Sequence, residues 1–484
     1  MLESCAGSYY ENTQEYPVHI ICMWGGYLLI SCCMPEYDYA ELEGKKVDNL
    51  LGKNNLEKLD NLFDNTSLGK ITLNISVNEW NQLLTNSRND KLKDNYVKAD
   101  CKFEKSFNYD NKKYKVQYNI NEIGIRIRGG SESYQPPEKN DKHSEEFVDC
   151  YNSCSSSYIQ THFKLKFDAF HDNDEHTIED LINGVNLKCM RQDPGYVSEM
   201  YVYDLMRRYG VWTGARASYS MFYIQIGNEE PAYFGLYKVI EPVNKRFLKA
   251  RINAPGIGFN SKNGFLWKRE NALKTNEDDF ETAKTELDNF TDNVNNLSDE
   301  DFYTWIKNFM DVELFIKTLA IETVCRKWDN YWGNNNNYYF YFDKSNDKKL
   351  YFISYDCDNS LYFPDSMESQ QIEWLKNPNK HKAPTLIKRI FNNPEFLEIY
   401  NNALKEIISP ESKLFYSEYS ESRILNWYNQ IEKYSYDFDA EPCFYGNTFP
   451  EYFNFTNGYV FGKPLFGCNG FFSIMTEILE EYLD

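Results

Sequence analysis

Two short stretches place carboxylates and amides at spacings that can do chemistry. In "RKWDNYWGNNNNYYFYFDKSNDKKLYFISYDCDNS", residues 326–360, Asp329 is followed by Asn334 in an Asp-x-x-x-x-Asn arrangement. On a loop, this spacing lets the aspartate orient a hydroxyl nucleophile while the asparagine carbonyl turns back to a metal ion. Asp356 and Asp358 end the segment "KKLYFISYDCDN", which reads as a strand with Asp356 at its lip. Hard cations such as Mg²⁺ or Mn²⁺ take one or two carboxylates together with phosphate oxygens and water. Strands near 339–343 and 350–355 form a hairpin that carries Asp329, Asn334 and Asp356 to one end. Taken singly, each motif also reads as an Asn-rich or strand-end turn. Their convergence argues for a site.

A second group of residues is basic. In "HFKLKF" (162–167), Phe163, Leu165 and Phe167 share one strand face. Lys164 and Lys166 are left on the other, reaching toward phosphate or solvated at an edge. Glu199 begins a helical stripe with Val202, Met206 and Tyr209. A carboxylate buried without a partner is costly, and a strand lysine is the natural partner. The alternative is an exposed glutamate near a positive helix N-terminus. "GIRIRGGS" (124–131) ends on Gly129 and Gly130. Their N–H groups could approach a phosphate, with Arg126 and Arg128 adding charge, or the segment is a plain strand-turn. No G-x-x-x-x-G-K-[ST], H-E-x-x-H or G-x-S-x-G occurs, which disfavours a P-loop, a zinc hydrolase and a nucleophile elbow. Paired carboxylates for glycoside hydrolysis stay open, but they leave the Lys–Glu and Asp–Asn features unexplained.

These residues must be positioned by 484 residues, enough for two or three lobes. The net charge of -21 argues against nonspecific nucleic-acid binding, which needs clustered Lys and Arg. Twelve scattered cysteines with no paired CxxC give little support to structural zinc. Residues 20–34, "IICMWGGYLLISCCM", are too short for a membrane span and have the length of a signal core. Residues 1–19 lack the usual Lys or Arg, so a short buried element is the alternative. Sequons at Asn65, Asn74, Asn289, Asn296 and Asn454 favour the secretory route only weakly. The organisation reads as an apolar segment and arm (1–67), a strand-rich N-lobe (68–265), a helical C-lobe with the hairpin (266–440) and an aromatic extension (441–484). An acidic insertion falls at about 269–300. In "QDPGYVSEMYVYDLMRRYG", Asp193 caps a helix, Pro194 fits its first turn and Gly210 sits past its end. Strands before helices predict an α+β fold with its ligand between two lobes.

Over residues 70–365 the chain resembles the spore coat protein H (CotH) family of atypical protein kinases. The family's "G-x-R-x-[RK]-G-x-S" strand is matched by Gly124–Ser131, and its lysine strand by "FKLKFD". Its Asp-entered helix is matched by "DPGYVSEMYVYDLMRRYG", and its hairpin by "GLYKVIEPVNKRFL". The Asp, "N-Y-Y-x-Y" and "W-D-x-D" series is matched by Asp329, "NYYFY" and "YDCD". Departures are the lack of a lysine in "SYIQTHF", Ser198 in place of an arginine, a Gly227–Asn228 turn and Tyr355 in place of a tryptophan. The resemblance implies an atypical protein-kinase-like two-lobe fold that transfers the γ-phosphoryl group of ATP to Ser or Thr of a protein, with Mg²⁺ or Mn²⁺. It implies that Asp329 orients the hydroxyl, that Asp356 holds metal, and that Lys164 with Glu199 holds the phosphates. Glu241 would stand where the adenine edge meets main chain. Asn334 is suggested by the spacing, and Asn337 competes with it. The other reading is a cell-surface adhesin or ligand-type binding protein on the same fold with weak or no catalysis, and the expected location of the chain is secreted or cell-surface. A carbohydrate-binding protein is suggested only by the 17% aromatic content.

Overall fold

The computed structural model describes residues 40–43, 52–89, 91–109, 112–129, 161–171, 176–190, 193, 196–251, 254, 264–344, 350–361, 372, 383–435, 459–460, 463–464 and 470–484. The apolar segment 20–34, Gly130, the polar loop after it, Asn454 and most of the aromatic extension lie outside these residues.

Seven strands close into a mixed barrel. They are β1 (Gly69–Ile75), β2 (Val97–Tyr109), β3 (Lys112–Arg128), β4 (His162–Lys166), β5 (Gly184–Lys188), β6 (Ala217–Ile226) and β7 (Ala232–Ile240). The order around the wall is β3-β2-β1-β6-β7-β5-β4, and β4 pairs back onto β3 with Arg126 opposite Lys164. β1 and β6 run parallel, and the other neighbours run antiparallel. Strand alternation sends Ile71, Leu73, Phe163, Leu165, Leu187, Phe222 and Val239 into one core, which also takes Leu59, Leu62, Trp80 and Leu83 from helices α1 (Asn55–Leu62) and α2 (Val77–Ser87).

The wall is not equally covered. β1 alternates buried and exposed residues, as a strand with one wet face does. β5 is buried along its whole length, on both faces. A second core lies outside the barrel and includes Tyr219, Leu236 and Ile240 from the wall. It also includes residues of helix α3 (Ser198–Arg208), α4 (Phe280–Asn296), α5 (Val312–Val324) and the short α6 (Tyr331–Asn334). A four-stranded sheet completes it: β8 (Gly264–Lys268), β9 (Ala272–Leu273), β10 (Tyr338–Asp343) and β11 (Leu350–Ser354), in the order β9-β8-β10-β11. Rings from α4, α5 and the β10–β11 hairpin interlock here, with Phe315, Tyr331 and Tyr338 all packed around Phe352. Residues 41–484 form one compact unit. Among the described residues, no helix is long and apolar enough to cross a membrane.

The α+β class stands, but the two-lobe protein-kinase-like architecture is corrected. The strands form a closed barrel rather than an open small-lobe sheet, and the barrel shares a core with the helices. Alternation shows which residues share a strand face. It says nothing about pairings distant in sequence, and closure rests on those: β1 with β6, and β3 with β4.

Candidate functional site

The doubly covered part of the wall creates the site. On β5, Val185 and Leu187 point into the barrel core, so Asn186 and Lys188 face the second layer. On β7, Tyr237 and Val239 belong to the barrel core and Lys238 faces outward. Polar groups buried there need partners. α3 supplies one, because Glu199 in its first turn is fully buried. Asp193 Oδ1 accepts the N–H of Ser198 at 3.2 Å, and Gly210, with φ +78°, follows the helix in the left-handed region that favours glycine.

The result is a buried charge cluster. Lys188 Nζ lies 2.9 Å from Glu199 Oε2, 2.8 Å from Asp358 Oδ2 and against Asp356 Oδ1. Lys238 Nζ lies 3.0 Å from Asp193 and 3.4 Å from Glu199. Glu199 therefore does have strand-lysine partners, but they are Lys188 and Lys238 rather than Lys164. Asp356 follows β11 with φ +58°, an uncommon conformation for a non-glycine residue. Its N–H donates to Tyr203 Oη at 3.1 Å, and the Cys357 N–H donates to Glu199 Oε1 at 3.3 Å. Burial works against the Asp356 carboxylate, yet Lys188 and Arg128 hold it ionised well below the usual range. Burial pushes Asp358 up, with the charge on Asp356 adding to the effect against the pull of Lys188. Burial also opposes the charge on Lys188, but Asp356, Asp358 and Glu199 raise it well above an ordinary lysine.

The donor set fits a hard divalent cation. One carboxylate oxygen from each of Glu199, Asp356 and Asp358 lies within 4.8 Å of the others. Glu199 Oε2, although close to two ammonium groups, makes no hydrogen bond among the described residues. Beside this triad lies a basic face. Burial and then the charges of Arg126, Arg128, Lys274 and Lys166 lower the Lys164 ammonium to about 8. Arg128 also feels Asp356 and Glu199, and its Nη1 is buried without a hydrogen bond among the described residues. Lys268 is lowered by burial while Asp356 pulls it up. Arg126 is paired with Asp94 at 2.9 Å, and Lys166 is half-exposed, 3.9 Å from Asp168. Glu241 is engaged within the fold. Arg251 clamps its two oxygens at 2.8 and 2.9 Å, and its N–H donates to the Arg216 carbonyl.

Asp329 sits in a different setting. Its Oδ1 accepts the amides of Asn334 and Asn336, and its Oδ2 accepts the Asn337 amide at 2.7 Å. Asn334 is exposed, with its amide nitrogen turned to Asp329. Asn337 joins the two halves of the site, because its carbonyl accepts the Tyr355 N–H at 3.0 Å, one residue before Asp356. Below the loop, Lys327 binds Glu322, Ser354 Oγ and the Tyr355 carbonyl, while Asn330 donates to Glu322 at 2.8 Å. A Cβ at Gly333 would stand 2.2 Å from the Trp328 carbonyl oxygen, so the loop requires glycine there. Sequence reasoning missed Lys188, Lys238, Tyr203 and the Glu322–Lys327 brace. The alternation that singled out Lys164 in "HFKLKF" was also present in "GVNLK" and pointed Lys188 outward.

Comparison with known proteins gives the following relatives. "Spore coat protein homolog 1" of Rhizopus delemar is 23% identical over 244 residues, covering 46% of this chain and 38% of that protein. "Invasin CotH7" of the same organism is 22% identical with the same coverage, and "Invasin CotH2" is 22% identical over 247 residues, 47% of this chain and 41% of its own. The chain thus spans about two fifths of the length of the curated relatives it matches. The family model described as CotH kinase protein matches residues 125–442, well over half of the chain and the whole of the charge cluster, and the chain belongs to that family.

Proposed function

We propose that this chain transfers the γ-phosphoryl group of ATP to a Ser or Thr hydroxyl of a protein, using Mg²⁺ or Mn²⁺. The observation that carries the reading is the triad Glu199, Asp356 and Asp358 set beside a basic face of Lys164, Arg128, Lys268 and Lys274. Carboxylates that gather a cation next to a crowded group of basic side chains suit a metal-bound polyphosphate. When bound, the metal neutralises phosphate charge and stabilises the transferring oxygens.

In this reading Asp356, with Asp358 and Glu199, holds the metal. Lys164, Arg128 and, at the rim, Arg126 and Lys166 meet the phosphates. Asp329 orients the acceptor hydroxyl and takes its proton. The three asparagine amides fix its carboxylate by hydrogen bonds without neutralising its charge. Asn334 and Asn337 hold the loop beside the metal residues, and Glu241 braces the end of β7. The names of the relatives, a spore coat protein homolog and two invasins, support a secreted or cell-surface location.

The test incubates the protein with labelled ATP and Mg²⁺ or Mn²⁺, alongside Asp329→Ala and Asp356→Ala. Label should enter the parent and be lost from both variants. Equal labelling in all three would overturn the assigned roles. A second reading, a surface-binding protein without catalysis, is favoured by the two relatives named invasins. It predicts no labelling and no nucleotide-induced rise in melting temperature.

A further inference from the structure

The acidic triad already contains a cation that belongs to the chain. Lys188 Nζ touches all three carboxylates, and its side chain is 4% exposed. Lys238 is in ion-pair contact with Glu199 and Asp193, and not with Asp356 or Asp358 among the described residues. Asp356 and Asp358 thus share one ammonium, that of Lys188, as their ion-pair contact among the described residues. Two partly buried carboxylates on one ammonium repel each other, and a further cation entering between them relieves that repulsion.

We infer that Lys188 is a built-in competitor for the divalent cation. Its Nζ lies between Asp356 and Asp358, and loading the site moves it off both and onto Glu199 alone. The inference rests on reading these carboxylates as metal ligands. Three features support the exchange. Glu199 Oε2 is 2.9 Å from Nζ without a hydrogen bond, so it has capacity to receive the displaced ammonium. A lysine is a point charge on a flexible stem and can pivot between acceptors, where a forked guanidinium would be held in one geometry. A divalent ion brings twice the charge of the ammonium that it displaces, and it relieves the repulsion between the two carboxylates. Lys188 is in this sense a positioning residue. It keeps the triad assembled without metal and sets how tightly metal binds.

The experiment titrates Mn²⁺ into the nucleotide-free full chain and follows free Mn²⁺ by electron paramagnetic resonance. Lys188→Gln should bind Mn²⁺ roughly tenfold more tightly than the parent, or better, while Lys188→Arg, which keeps the charge, should show no gain. A merely structural lysine would give weaker binding when removed, never tighter. Lys188→Gln binding no more tightly than the parent would overturn this inference and leave the proposed function standing. If neither protein bound Mn²⁺, the inference would fall together with the metal reading of the site. If Lys188→Gln were unfolded without metal, Mn²⁺ should restore its melting transition, and failure to do so would also overturn the inference.

Discussion

Asp356 and Asp329 stand near the same end of one hairpin, yet the protein holds them in opposite ways. Asp356 is fixed by charge. Lys188 touches it, Arg128 reinforces its ionisation, and it leaves β11 in a left-handed conformation that the Tyr203 hydroxyl braces. Asp329 is fixed by neutral donors, the amides of Asn334, Asn336 and Asn337. A carboxylate surrounded by cations is prepared to exchange one cation for another. A carboxylate surrounded by amides keeps its full negative charge and a set direction, as an orienter of a hydroxyl requires. In the proposed function, the difference separates a metal-holding half of the site from an acceptor-facing half.

The largest expected effects break the site at these two residues, and they should break it differently. Asp356→Ala should lower phosphoryl transfer by about a thousandfold or more and remove the rise in melting temperature caused by ATP with Mn²⁺. Asp329→Ala should lower transfer by about 10²- to 10⁴-fold and leave that rise intact. Thermal denaturation with and without nucleotide checks the split. A variant at 329 that also lost the nucleotide response would mean that the two halves are not separate.

Asn337 is where the halves are joined, so its variant sharpens the comparison. The side chain directs Asp329 and the backbone binds Tyr355. Asn337→Ala removes two amide hydrogen bonds to residue 329, one to its carboxylate and one to its carbonyl. About tenfold slower transfer with unchanged nucleotide binding is expected, roughly 1.4 kcal/mol, at the low end for losing a bond to a carboxylate. Asn334→Ala removes one exposed donor of three and should cost only a few-fold. An Asn334 variant more damaging than the Asn337 variant would return the main supporting role to position 334.

Much of this was legible in the sequence, for identifiable reasons. The strand-end aspartates, the Asp–Asn loop and the helix bearing Glu199 are short-range patterns, and short-range patterns appear in a single sequence. The helix starts at Ser198 after Val197, however, later than a cap at Asp193 places it, and Pro194 lies outside the described residues. The lysine partner of Glu199 was misread because two strands, "HFKLKF" and "GVNLK", present outward lysines equally well. Only the register decides between them. Asn186 lies opposite Lys164 on β4 and Ile240 on β7, so β5 is the interior strand of the three and Lys188 falls beneath α3. Barrel closure was hidden for the same reason. The high aromatic content, which was the sole hint of a carbohydrate-binding protein, goes in good part into packing: Phe315, Tyr338, Phe340 and Phe352 form the core beneath the hairpin.

The smallest expected effect concerns the basic face and pH. In the free protein Lys164 is crowded by burial and by Arg126, Arg128, Lys274 and Lys166, which lower it to about 8 from the ordinary 10.5. A bound phosphate would add the negative charge that this face lacks and would raise the Lys164 pKa. Binding must then take up a proton around pH 8, so ATP affinity should fall as the pH rises from 7 to 9. Stability runs the other way. The lysine titrates lower in the folded chain than in the unfolded one, so its unfavourable contribution is present at neutral pH and is relieved as the pH rises between about 8 and the ordinary lysine value. The two trends should separate in one experiment. Melting temperatures of the parent, measured across pH with and without ATP, should converge toward pH 9, and in Lys164→Met the gap between them should be smaller and nearly independent of pH. A gap that stayed constant with pH in the parent would remove Lys164 from the phosphate-binding set, while the metal-holding half of the site would be untouched by that result.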